Sequence, residues 1–558
     1  MSAVRQEMWE RLGGTVDVLV VGGGINGAGI ARDAARRGLR VALVEMNDLA
    51  WGTSSRSSKL VHGGLRYLEQ LELSLVFEAV SERRVLLDIA PHLVNPLGFL
   101  FPVFKSSRRP LGLINAGMWL YEGLSLFRSP KRHRTLTPGE VSKEEPSLKV
   151  ANLKGAPLYY DCSTDDARLT LESALDAVNV GAVVATWAKV VEFVREGARV
   201  KGAVVEDTLS GTRKTILAHA VINATGPWTD RTIALSAPMD QALLRPTKGV
   251  HVVVDSQKLP VNNAVVCFHP DDGRVLFAIP WGDRTYLGTT DTDYEGDPSD
   301  VAATLEDVDY LLNASNHYFP SRPLTRDDVI ATWAGLRPLM QPARKGQNIG
   351  ESAVSREHQI IVGQDGLITI AGGKLTTYRR MSAEVVDTAV QMLRLSNALP
   401  RSLSSSRTDQ EPLPGANGWP DDDNHARVAQ QVRATSDNTL SEASARLLAD
   451  TYGMRALQIA RLVRQDPSLA GPIVPGRPEI LAQINWAVTE ELAATVADVM
   501  TRRTQLFYRD LDQGLGAAEI VADRMASLIG WTDEQRLASL QAYRADVALA
   551  RRWREKLA

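Results

Sequence analysis

Three glycines and one acid have the types and the spacing that suit the binding of a dinucleotide. Gly22, Gly24 and Gly27 form the pattern Gly-x-Gly-x-x-Gly, and Glu45 ends the next apolar run. In this pattern the first glycine permits a tight turn, the second lets a pyrophosphate approach the backbone, and the third lets a helix pack on a strand. The acid can accept hydrogen bonds from ribose hydroxyls, which disfavours NADP. The pattern predicts a site for an adenine dinucleotide.

A strand, a helix and a second strand must hold these residues in place. The β-branched run 16–21 predicts a buried parallel strand, and the alanine-rich run from Ile25 to Gly38 predicts a helix that ends in a C-cap glycine. Residues 39–45 predict the second strand. The free N–H groups at the start of the helix suit phosphates, so the three elements form a phosphate-binding βαβ unit.

Two further strands that end in glycine bear on the choice between FAD and NAD. Residues 221–228 (VINATGPW) form one strand and turn, and residues 368–373 (ITIAGG) precede a helix expected to begin near Lys374. An NAD site normally lies in one compact domain, whereas glycine-ended strands far apart in the sequence favour one large cofactor. The start of the third helix could direct N–H groups at a flavin and stabilise negative charge on the reduced ring. We therefore predict FAD, with NAD as the alternative.

The order of the predicted elements indicates an α/β fold with two interleaved sheets and a separate helical domain. Residues 183–226 predict an antiparallel meander that returns to a parallel strand at 220–224. Strands between 251 and 371, among them 329–334, predict a second sheet. We predict a Rossmann-like FAD-binding domain (16–95, 150–245 and 355–396), a mixed or antiparallel β-sheet substrate-binding and membrane-proximal region (96–149 and 246–354), a linker (397–424) and an all-helical C-terminal domain (425–558).

The composition excludes several classes of protein. The chain has 63 Lys and Arg against 66 Asp and Glu, a net charge of −3, which disfavours a nucleic-acid-binding protein. Cys162 and Cys267 are too few for a disulfide framework or a four-thiolate metal site, and we expect buried inert thiols and no metal. Residues 1–15 lack the apolar run of a secretory signal, and 111–127 fall short of a spanning helix. We expect a cytoplasmic enzyme that is soluble or peripheral.

Eight strings of residues resemble the FAD-dependent (respiratory, aerobic) glycerol-3-phosphate dehydrogenase family. They occur in the family's order between about residues 17 and 380, and the strings with GGLRYLE and GGKLTTYR are much more specific than the glycine pattern. The resemblance implies oxidation of sn-glycerol 3-phosphate to dihydroxyacetone phosphate, with electrons passing from FAD to a membrane quinone. It also implies a place on the inner face of the cell membrane and is compatible with a homodimer. The strings are GGGINGAGIARDAARRGL, TSSRSSKLVHGGLRYLE, DDARL, NATGPW, FAIPW with GTTDTDY, GLRPL and GGKLTTYR.

The same resemblance implies the residues that act on the substrate. His251 matches the proposed base and Arg337 lies near the reacting hydroxyl, although Arg337 with a water is an alternative base. An imidazole with a pKa near 6.5 suits such a proton transfer. Without the resemblance, His251 reads as a packed strand residue and Lys374 as a cap of local carbonyls. The implied substrate-binding residues, which suit a dianionic phosphate, are Arg66, Tyr67, Arg356 and Lys374.

The resemblance further implies a set of FAD contacts along the whole chain. They include the serine-rich segment 53–58, which the family places against the flavin. The implied contacts are Gly22, Gly24, Ile25, Asn26, Gly27, Glu45, Thr53, Ser54, Ser55, Ser58, His62, Gly63, Gly64, Leu65, Val190, Ala224, Thr225, Gly226, Trp228, Gly373, Lys374, Leu375 and Thr376.

Residues 101–134 form a basic segment with interleaved apolar side chains. Seven cations against the one acid Glu122 give this segment a local charge of +6. A helix of this kind suits either an anionic membrane surface or a protein core with solvated ends, and the family's habit favours the membrane. The cations are Lys105, Arg108, Arg109, Arg128, Lys131, Arg132 and Arg134.

Three other functions remain open. A glycerol-3-phosphate oxidase that uses oxygen would share the reductive half of the reaction. An amino-acid or amine oxidase of the same fold would need one arginine for a carboxylate rather than several cations for a phosphate. A flavin-bearing protein without activity would bind FAD and not be reduced by glycerol 3-phosphate.

Overall fold

The computed structural model describes residues 2–64, 72–126, 128–341, 358–399 and 402–557, which form two β-sheets followed by a group of helices. The strands are β1 Thr15–Val21, β2 Val41–Val44, β3 Leu60–Val61, β4 Asn95–Leu100, β5 Val103–Phe104, β6 Arg134–Leu136, β7 Leu153–Ser163, β8 Val183–Ala185, β9 Ala188–Glu196, β10 Arg199–Asp207, β11 Arg213–Asn223, β12 Leu244–Asp255, β13 Ala264–Phe268, β14 Val275–Trp281, β15 Arg284–Gly288, β16 Thr292–Asp293, β17 Val329–Met340, β18 Gln359–Val362 and β19 Ile368–Ala371. The α-helices are α1 Ala3–Arg11, α2 Ile25–Arg36, α3 Leu73–Ile89, α4 Leu111–Leu124, α5 Pro138–Glu144, α6 Asp166–Asn179, α7 Thr229–Ala234, α8 Leu305–Tyr318, α9 Tyr378–Leu395, α10 His425–Thr435, α11 Glu442–Tyr452, α12 Ala456–Gln465, α13 Leu481–Glu490, α14 Leu506–Arg509, α15 Ala518–Ile529 and α16 Asp533–Arg551.

The eight-stranded sheet carries the predicted βαβ unit. Its order is β18-β19-β11-β1-β2-β8, with β10 beside β11 and β9 beside β10. Strand β1 is parallel to β11 and β2, and apolar side chains of α2, α6 and α9 cover one face. Strand β11 pairs antiparallel with β10 over residues 213–217 and parallel with β1 over residues 217–223. The predicted meander and the parallel strand to which it returns are therefore joined in one continuous strand.

The second sheet has eleven strands, and they are interleaved along the chain with the strands of the first sheet. Its order is β16-β12-β15-β14-β13-β4-β7-β3, with β17 on β12 and with β5 and β6 on β7. Strand β7 belongs to this sheet by its pairing with β4, although the predicted range 150–245 grouped it with the FAD-binding domain. Strand β17 continues to Met340, beyond the predicted end at 334, because it pairs with β12 along its length. Arg337 therefore lies inside a paired strand.

The C-terminal helices pack against the second sheet and share its core. Tyr508 on α14 belongs to the same apolar cluster as Trp333 on β17. The same region also contacts the segment after β2 of the first sheet through a buried ion pair, with Arg503 Nη1 at 2.6 Å from Asp48 Oδ2. The helical character of this region is as predicted, but its core is continuous with that of the second sheet.

The segment predicted as a linker is packed on the first sheet's helices. Leu413 is fully buried, and the hydroxyl of Ser406 donates to the carboxylate of Asp33 on α2. Its Ser, Pro, Gly and Asp content therefore reflects turns that follow the surface of α2.

Two smaller predictions concern the thiols and the apolar helix. Cys162 and Cys267 are buried, and burial raises the pKa of Cys162 to about 12, as expected of an inert thiol. In the described part of the chain, the helices include none with the length and apolar character needed to cross a membrane.

Candidate active site

The three glycine-ended strands converge on one cavity of about 590 Å³. It opens at the carboxyl ends of β1, β2, β11 and β19, the usual place for a ligand in an open α/β sheet. Most of the predicted cofactor contacts line its wall, namely Gly22, Gly24, Ile25, Asn26, Glu45, Thr53, Ser54, Val190, Ala224, Thr225, Gly226, Trp228, Gly373, Lys374 and Leu375.

Close approach of the backbone explains the first and third glycines of the pattern. Gly22 has a φ of +108°, and a Cβ there would lie 2.6 Å from the carbonyl oxygen of Ala224. A Cβ at Gly27 would lie 1.8 Å from the carbonyl oxygen of Gly22, so only a glycine lets the helix pack this closely on the turn. Gly27 itself does not line the cavity. These positions bring the start of α2 close to the cavity.

Glu45 is held at the end of β2 by backbone donors. Its side chain is largely buried, and it accepts hydrogen bonds from Gly23 N at 2.6 Å and from Asn47 N at 2.9 Å. Burial raises the pKa of Glu45, and the two backbone bonds oppose that effect. Each carboxylate oxygen retains a further lone pair that can accept from a ribose hydroxyl.

Residues 53–58 form a loop that is fixed between α2 and β17. Ser54 Oγ accepts from Ile25 N at 2.9 Å, and Thr53 Oγ1 donates to Leu336 O at 2.6 Å. Ser55 and Ser58 do not line the cavity. The hydroxyl of Ser58 instead lies 2.9 Å from Nε2 of His251.

The remaining predicted contacts connect segments behind the cavity wall. His62 N donates to Thr376 Oγ1 at 3.1 Å, and Thr376 Oγ1 donates to His62 O at 3.2 Å. Gly63 N donates to Asp161 at 3.3 Å, and Gly64 N donates to His62 Nδ1 at 3.1 Å. Leu65 lies outside the described residues.

His251 is buried, and its neighbour Trp333 donates from Nε1 to the carbonyl oxygen of Ser57, a residue of the cavity wall. Its ring stacks on Trp333, with ring centres 4.6 Å apart. Burial, the charge of Arg337 and that of Lys59 together lower the pKa of His251 well below 6.5. The expectation of an ordinary imidazole pKa was therefore wrong, because the sequence does not show how deeply the ring is buried. A ring that is unprotonated at neutral pH is able to accept a proton.

Arg337 faces the same side of the sheet as His251. Side chains alternate between the two faces of a strand, so residues 247, 249 and 251 of β12 share one face. The side chain of Arg337 lies over Gly249 on that face, since a Cβ at Gly249 would be 2.6 Å from Arg337 Nη2. Arg337 Nη1 lies 3.0 Å from Asp291 Oδ1, and Nη2 donates to Thr289 Oγ1 at 3.2 Å. The guanidinium is thus held in one orientation by a carboxylate and a hydroxyl.

Of the four predicted substrate-binding residues, the structure describes Lys374, which lies in the cavity wall. Arg66, Tyr67 and Arg356 lie outside the described residues. Arg337 is the second described cation of the predicted pocket.

Comparison with known proteins decides the family. Residues 17–379 match the family described as FAD dependent oxidoreductase, and residues 406–536 match the C-terminal domain of alpha-glycerophosphate oxidase. The chain is 41% identical over 533 residues to a protein of Mycobacterium tuberculosis named glycerol-3-phosphate dehydrogenase 2, which is 95% of this chain and 88% of that protein. It is 37% identical over 535 residues to the aerobic glycerol-3-phosphate dehydrogenase of Staphylococcus epidermidis, which is 96% of this chain and 94% of that protein.

The chain belongs to the FAD-dependent glycerol-3-phosphate dehydrogenase family. A structure of the glycerol-3-phosphate dehydrogenase from Bacillus halodurans complexed with FAD is 34% identical, covers 98% of each chain and has a TM-score of 0.81. The structure of the L-alpha-glycerophosphate oxidase of Mycoplasma pneumoniae is 20% identical, has a TM-score of 0.53 and covers 72% of this chain and 100% of the other, so it shows the fold alone. The predicted fold class and the prediction of FAD are confirmed, and the NAD alternative is wrong.

The cavity fits the cofactor of the glycerol-3-phosphate dehydrogenase family. The glycine turn leaves no room for side chains where a pyrophosphate would approach α2, and Glu45 presents a carboxylate for the ribose. The turn at Gly373 to Leu375 lines the same cavity. Pro338, the residue after Arg337, lines the wall of the same cavity.

The sequence analysis did not predict a buried ion pair that lies near His251. Lys59 is buried and its Nζ lies 2.6 Å from Asp166 Oδ1. Both residues belong to strings that carried the resemblance, TSSRSSK and DDARL, but residues 107 positions apart gave no sign of their pairing. A buried charge requires a partner, so a lysine within an otherwise small-residue segment was the available signal.

The basic segment has a mixed exposure in the structure. On α4, Met118 and Tyr121 are buried, whereas Trp119 is 59% exposed. Glu122 is buried and accepts from His133 N at 2.6 Å, so the one acid of the segment is withdrawn from the surface. The exposed apolar side chains of this region are Leu113, Trp119, Leu120 and Leu126.

Proposed function

We propose that this protein oxidises sn-glycerol 3-phosphate to dihydroxyacetone phosphate with FAD as the acceptor of the hydride. The observation that carries the proposal is the pair formed by the buried His251, whose pKa is lowered, and an oriented Arg337 on one face of β12 and β17. Pro338, the residue after Arg337, lines the wall of the FAD cavity. The names of the Mycobacterium tuberculosis and Staphylococcus epidermidis relatives support the choice of substrate.

The reaction needs a group that takes the proton of the substrate hydroxyl while a hydride leaves the same carbon. When bound, FAD supplies the acceptor for those two electrons. His251 is the base at Nε2, and Arg337 orients the oxygen and stabilises the negative charge that develops on it. A dianionic substrate near Arg337 raises the proton affinity of His251, because it offsets the positive charge that otherwise disfavours the imidazolium. Arg337 with a water remains the alternative base.

Phosphate recognition distinguishes this proposal from an amino-acid oxidase of the same fold. Lys374 in the cavity wall is the described cation of the phosphate site, and the resemblance adds Arg66 and Arg356, with Tyr67 beside them. Several cations suit a dianion, whereas one arginine is sufficient for a carboxylate.

Quinone is the proposed final electron acceptor, and oxygen is the alternative. The relatives of 41% and 37% identity are both named dehydrogenases, which supports quinone. The reductive half of the reaction is the same for both acceptors. Measurement of hydrogen peroxide formed in air against the rate of quinone reduction separates them, and a full yield of peroxide with no quinone reduction contradicts the dehydrogenase.

The basic segment 101–134 is proposed to hold the protein on the inner, anionic face of the cell membrane. Trp119, Leu120 and Leu126 provide exposed apolar area, and the cations around them remain at the surface. This combination suits a helix that lies in a membrane interface. A membrane position also places the protein next to a lipid-soluble quinone.

The test of the substrate is an anaerobic titration of the purified FAD-loaded protein, followed by the absorbance of the flavin. Glycerol 3-phosphate should bleach the flavin, and glycerol and glycine at the same concentrations should not. Equal bleaching by glycerol or glycine overturns the proposed specificity. A protein that binds FAD but is not bleached by any of the three contradicts the proposed activity.

A further inference from the structure

The loop 45–54, which follows β2, forms much of the wall of the FAD cavity. Two of its residues, Asn47 and Asp48, do not line the cavity, and Asp48 is fully buried. Because they lie between wall residues in the sequence, the contacts that hold these two also fix this part of the wall. The wall residues of the loop are Glu45, Met46, Trp51, Gly52, Thr53 and Ser54.

The C-terminal region supplies the partners of Asp48. Arg502 and Arg503 belong to one π-helical turn, Asp498–Arg503, a rare conformation that occurs frequently at functional sites. Arg503 binds both carboxylate oxygens of Asp48, with Nη1 at 2.6 Å from Oδ2 and Nη2 at 2.9 Å from Oδ1, and Arg502 Nε donates to Oδ2 at 2.5 Å. Burial raises the pKa of Asp48, but the two arginines outweigh this effect and hold its pKa below the usual value. Asp48 is therefore a buried carboxylate whose charge depends on the C-terminal region.

The same turn also holds Asn47, through Trp187. The backbone N of Trp187 donates to Asn47 O at 2.7 Å, and its ring Nε1 donates to Asp498 Oδ2 at 3.3 Å. Trp187 has a left-handed φ of +57°, a conformation that a bulky residue adopts only where its surroundings hold it. Asp498 Oδ1 accepts from Arg502 Nη2 at 2.7 Å, so one carboxylate connects the two attachments. Two consecutive residues of the loop 45–54 are thus held by one C-terminal turn.

The hold on Asp48 extends to the glycine turn through Ala50. Trp51 N donates to Asp48 O at 3.1 Å, and Ala50 N donates to Gly23 O at 3.0 Å. Ala50 has a left-handed φ of +62°, so the loop is strained at this position and depends on its surroundings to keep its conformation. Release of Asp48 would let Ala50 relax and would move the loop relative to the glycine turn.

We propose that Arg502 and Arg503 are positioning residues for FAD, so that the C-terminal region is part of the cofactor site. They act through Asp48 and the loop 45–54, since the described cavity wall ends, in sequence, at Leu375. FAD binding and the docking of the turn Asp498–Arg503 are then coupled, and each strengthens the other by the same factor. This inference rests on FAD as the cofactor and holds whichever substrate is oxidised.

The first experiment measures the dissociation constant of FAD by titration of apoprotein variants, followed by the quenching of flavin fluorescence. Asp48→Asn should weaken FAD binding by about 5- to 150-fold, the usual range of coupling between two sites. Arg503→Lys keeps the charge but loses the paired hydrogen bonds, and its affinity should lie between those of Asp48→Asn and the unmodified protein. Asp307→Asn is the matched control in the second sheet, because it breaks the buried ion pair in which Lys248 Nζ lies 2.6 Å from Asp307 Oδ2. It should bind FAD as the unmodified protein does.

The melting temperatures of the apoproteins separate positioning from a general loss of stability. Asp48→Asn and Asp307→Asn should both melt at lower temperature, because each leaves a buried cation without its carboxylate. Only Asp48→Asn should lose affinity for FAD. An affinity of Asp48→Asn within about threefold of the unmodified value shows a purely structural ion pair and overturns the proposal. Equal weakening in Asp307→Asn also overturns it.

The second experiment needs no variant, so it decides the question even if Asp48→Asn does not fold. Amide hydrogen exchange of the unmodified protein is measured with and without FAD. FAD should slow exchange by about fivefold or more in the loop 45–54 and in the turn Asp498–Arg503, and much less in α10 of the same C-terminal region. Protection confined to the loop overturns the coupling, and equal protection of the turn and α10 shows only general stabilisation and overturns it too. Neither experiment uses glycerol 3-phosphate, so a failure of the proposed oxidation is seen separately, in the anaerobic titration.

Discussion

The substitution Gly27→Ala tests how strongly FAD binding depends on the close packing of α2 on the end of β1. The alanine Cβ would lie 1.8 Å from the carbonyl oxygen of Gly22. A carbon–oxygen contact is normally about 3.3 Å, so the start of α2 has to retreat by about 1.5 Å. That displacement equals the rise of about one helical residue.

The displacement acts on both stability and affinity. Overpacking of this kind costs about 1–3 kcal/mol of folding free energy. A retreat of the helix start also removes at least one charge-assisted hydrogen bond to a phosphate, worth about 1.5–3 kcal/mol. FAD should therefore bind about 10- to 150-fold more weakly to Gly27→Ala.

The assay is titration of the apoprotein with FAD, followed by the quenching of flavin fluorescence, together with the melting temperature of the apoprotein. Gly139→Ala in α5 is the matched control, because a Cβ there has no heavy atom within 4 Å. It should bind FAD as the unmodified protein does and should be as stable or slightly more stable. An affinity of Gly27→Ala within about threefold of the unmodified value would refute the packing argument.

Three further predictions concern a buried acid, the guanidinium of the site and the basic segment. Burial alone would raise the pKa of Glu172, but His92 and Arg455 lower it to about 2, so the stabilisation is complete above about pH 5 and is lost as the pH falls toward 2. Glu172→Gln should therefore lower the free energy of unfolding at pH 7 by up to about 3 kcal/mol, with a smaller deficit at pH 4 in urea titrations, and an equal deficit at both pH values contradicts the linkage. Arg337→Ala should keep FAD bound but slow flavin reduction by about 10²- to 10³-fold; a normal rate removes Arg337 from the site. Removal of three cations of the basic segment should weaken binding to anionic vesicles by about 1 kcal/mol per charge, and unchanged co-sedimentation speaks against membrane binding. The cations exchanged for Gln are Arg128, Lys131 and Arg132, and the control exchanges Arg427, Arg433 and Arg446 in the helical region.

The cofactor site was largely predictable because its signals are local in the sequence. Gly22, Gly24 and Gly27 belong to one turn, and Glu45 follows on the next strand, so spacing alone indicated their roles. Composition was less informative at 397–424. Turn-forming residues indicated a linker, but Leu413 is buried in a packed segment, because composition does not show what a loop lies against.

The sequence by itself therefore determined the βαβ unit, the helical character of the C-terminal region and, through its specific strings, the family. Only the tertiary structure decided the state of the base and its partner. Ser58 and His251 are 193 positions apart and meet because β12 lies beneath the 53–58 loop. The low pKa of His251 follows from burial and from the charges of Arg337 and Lys59. Burial and electrostatic fields arise from residues that are distant in sequence, so no local pattern encodes them.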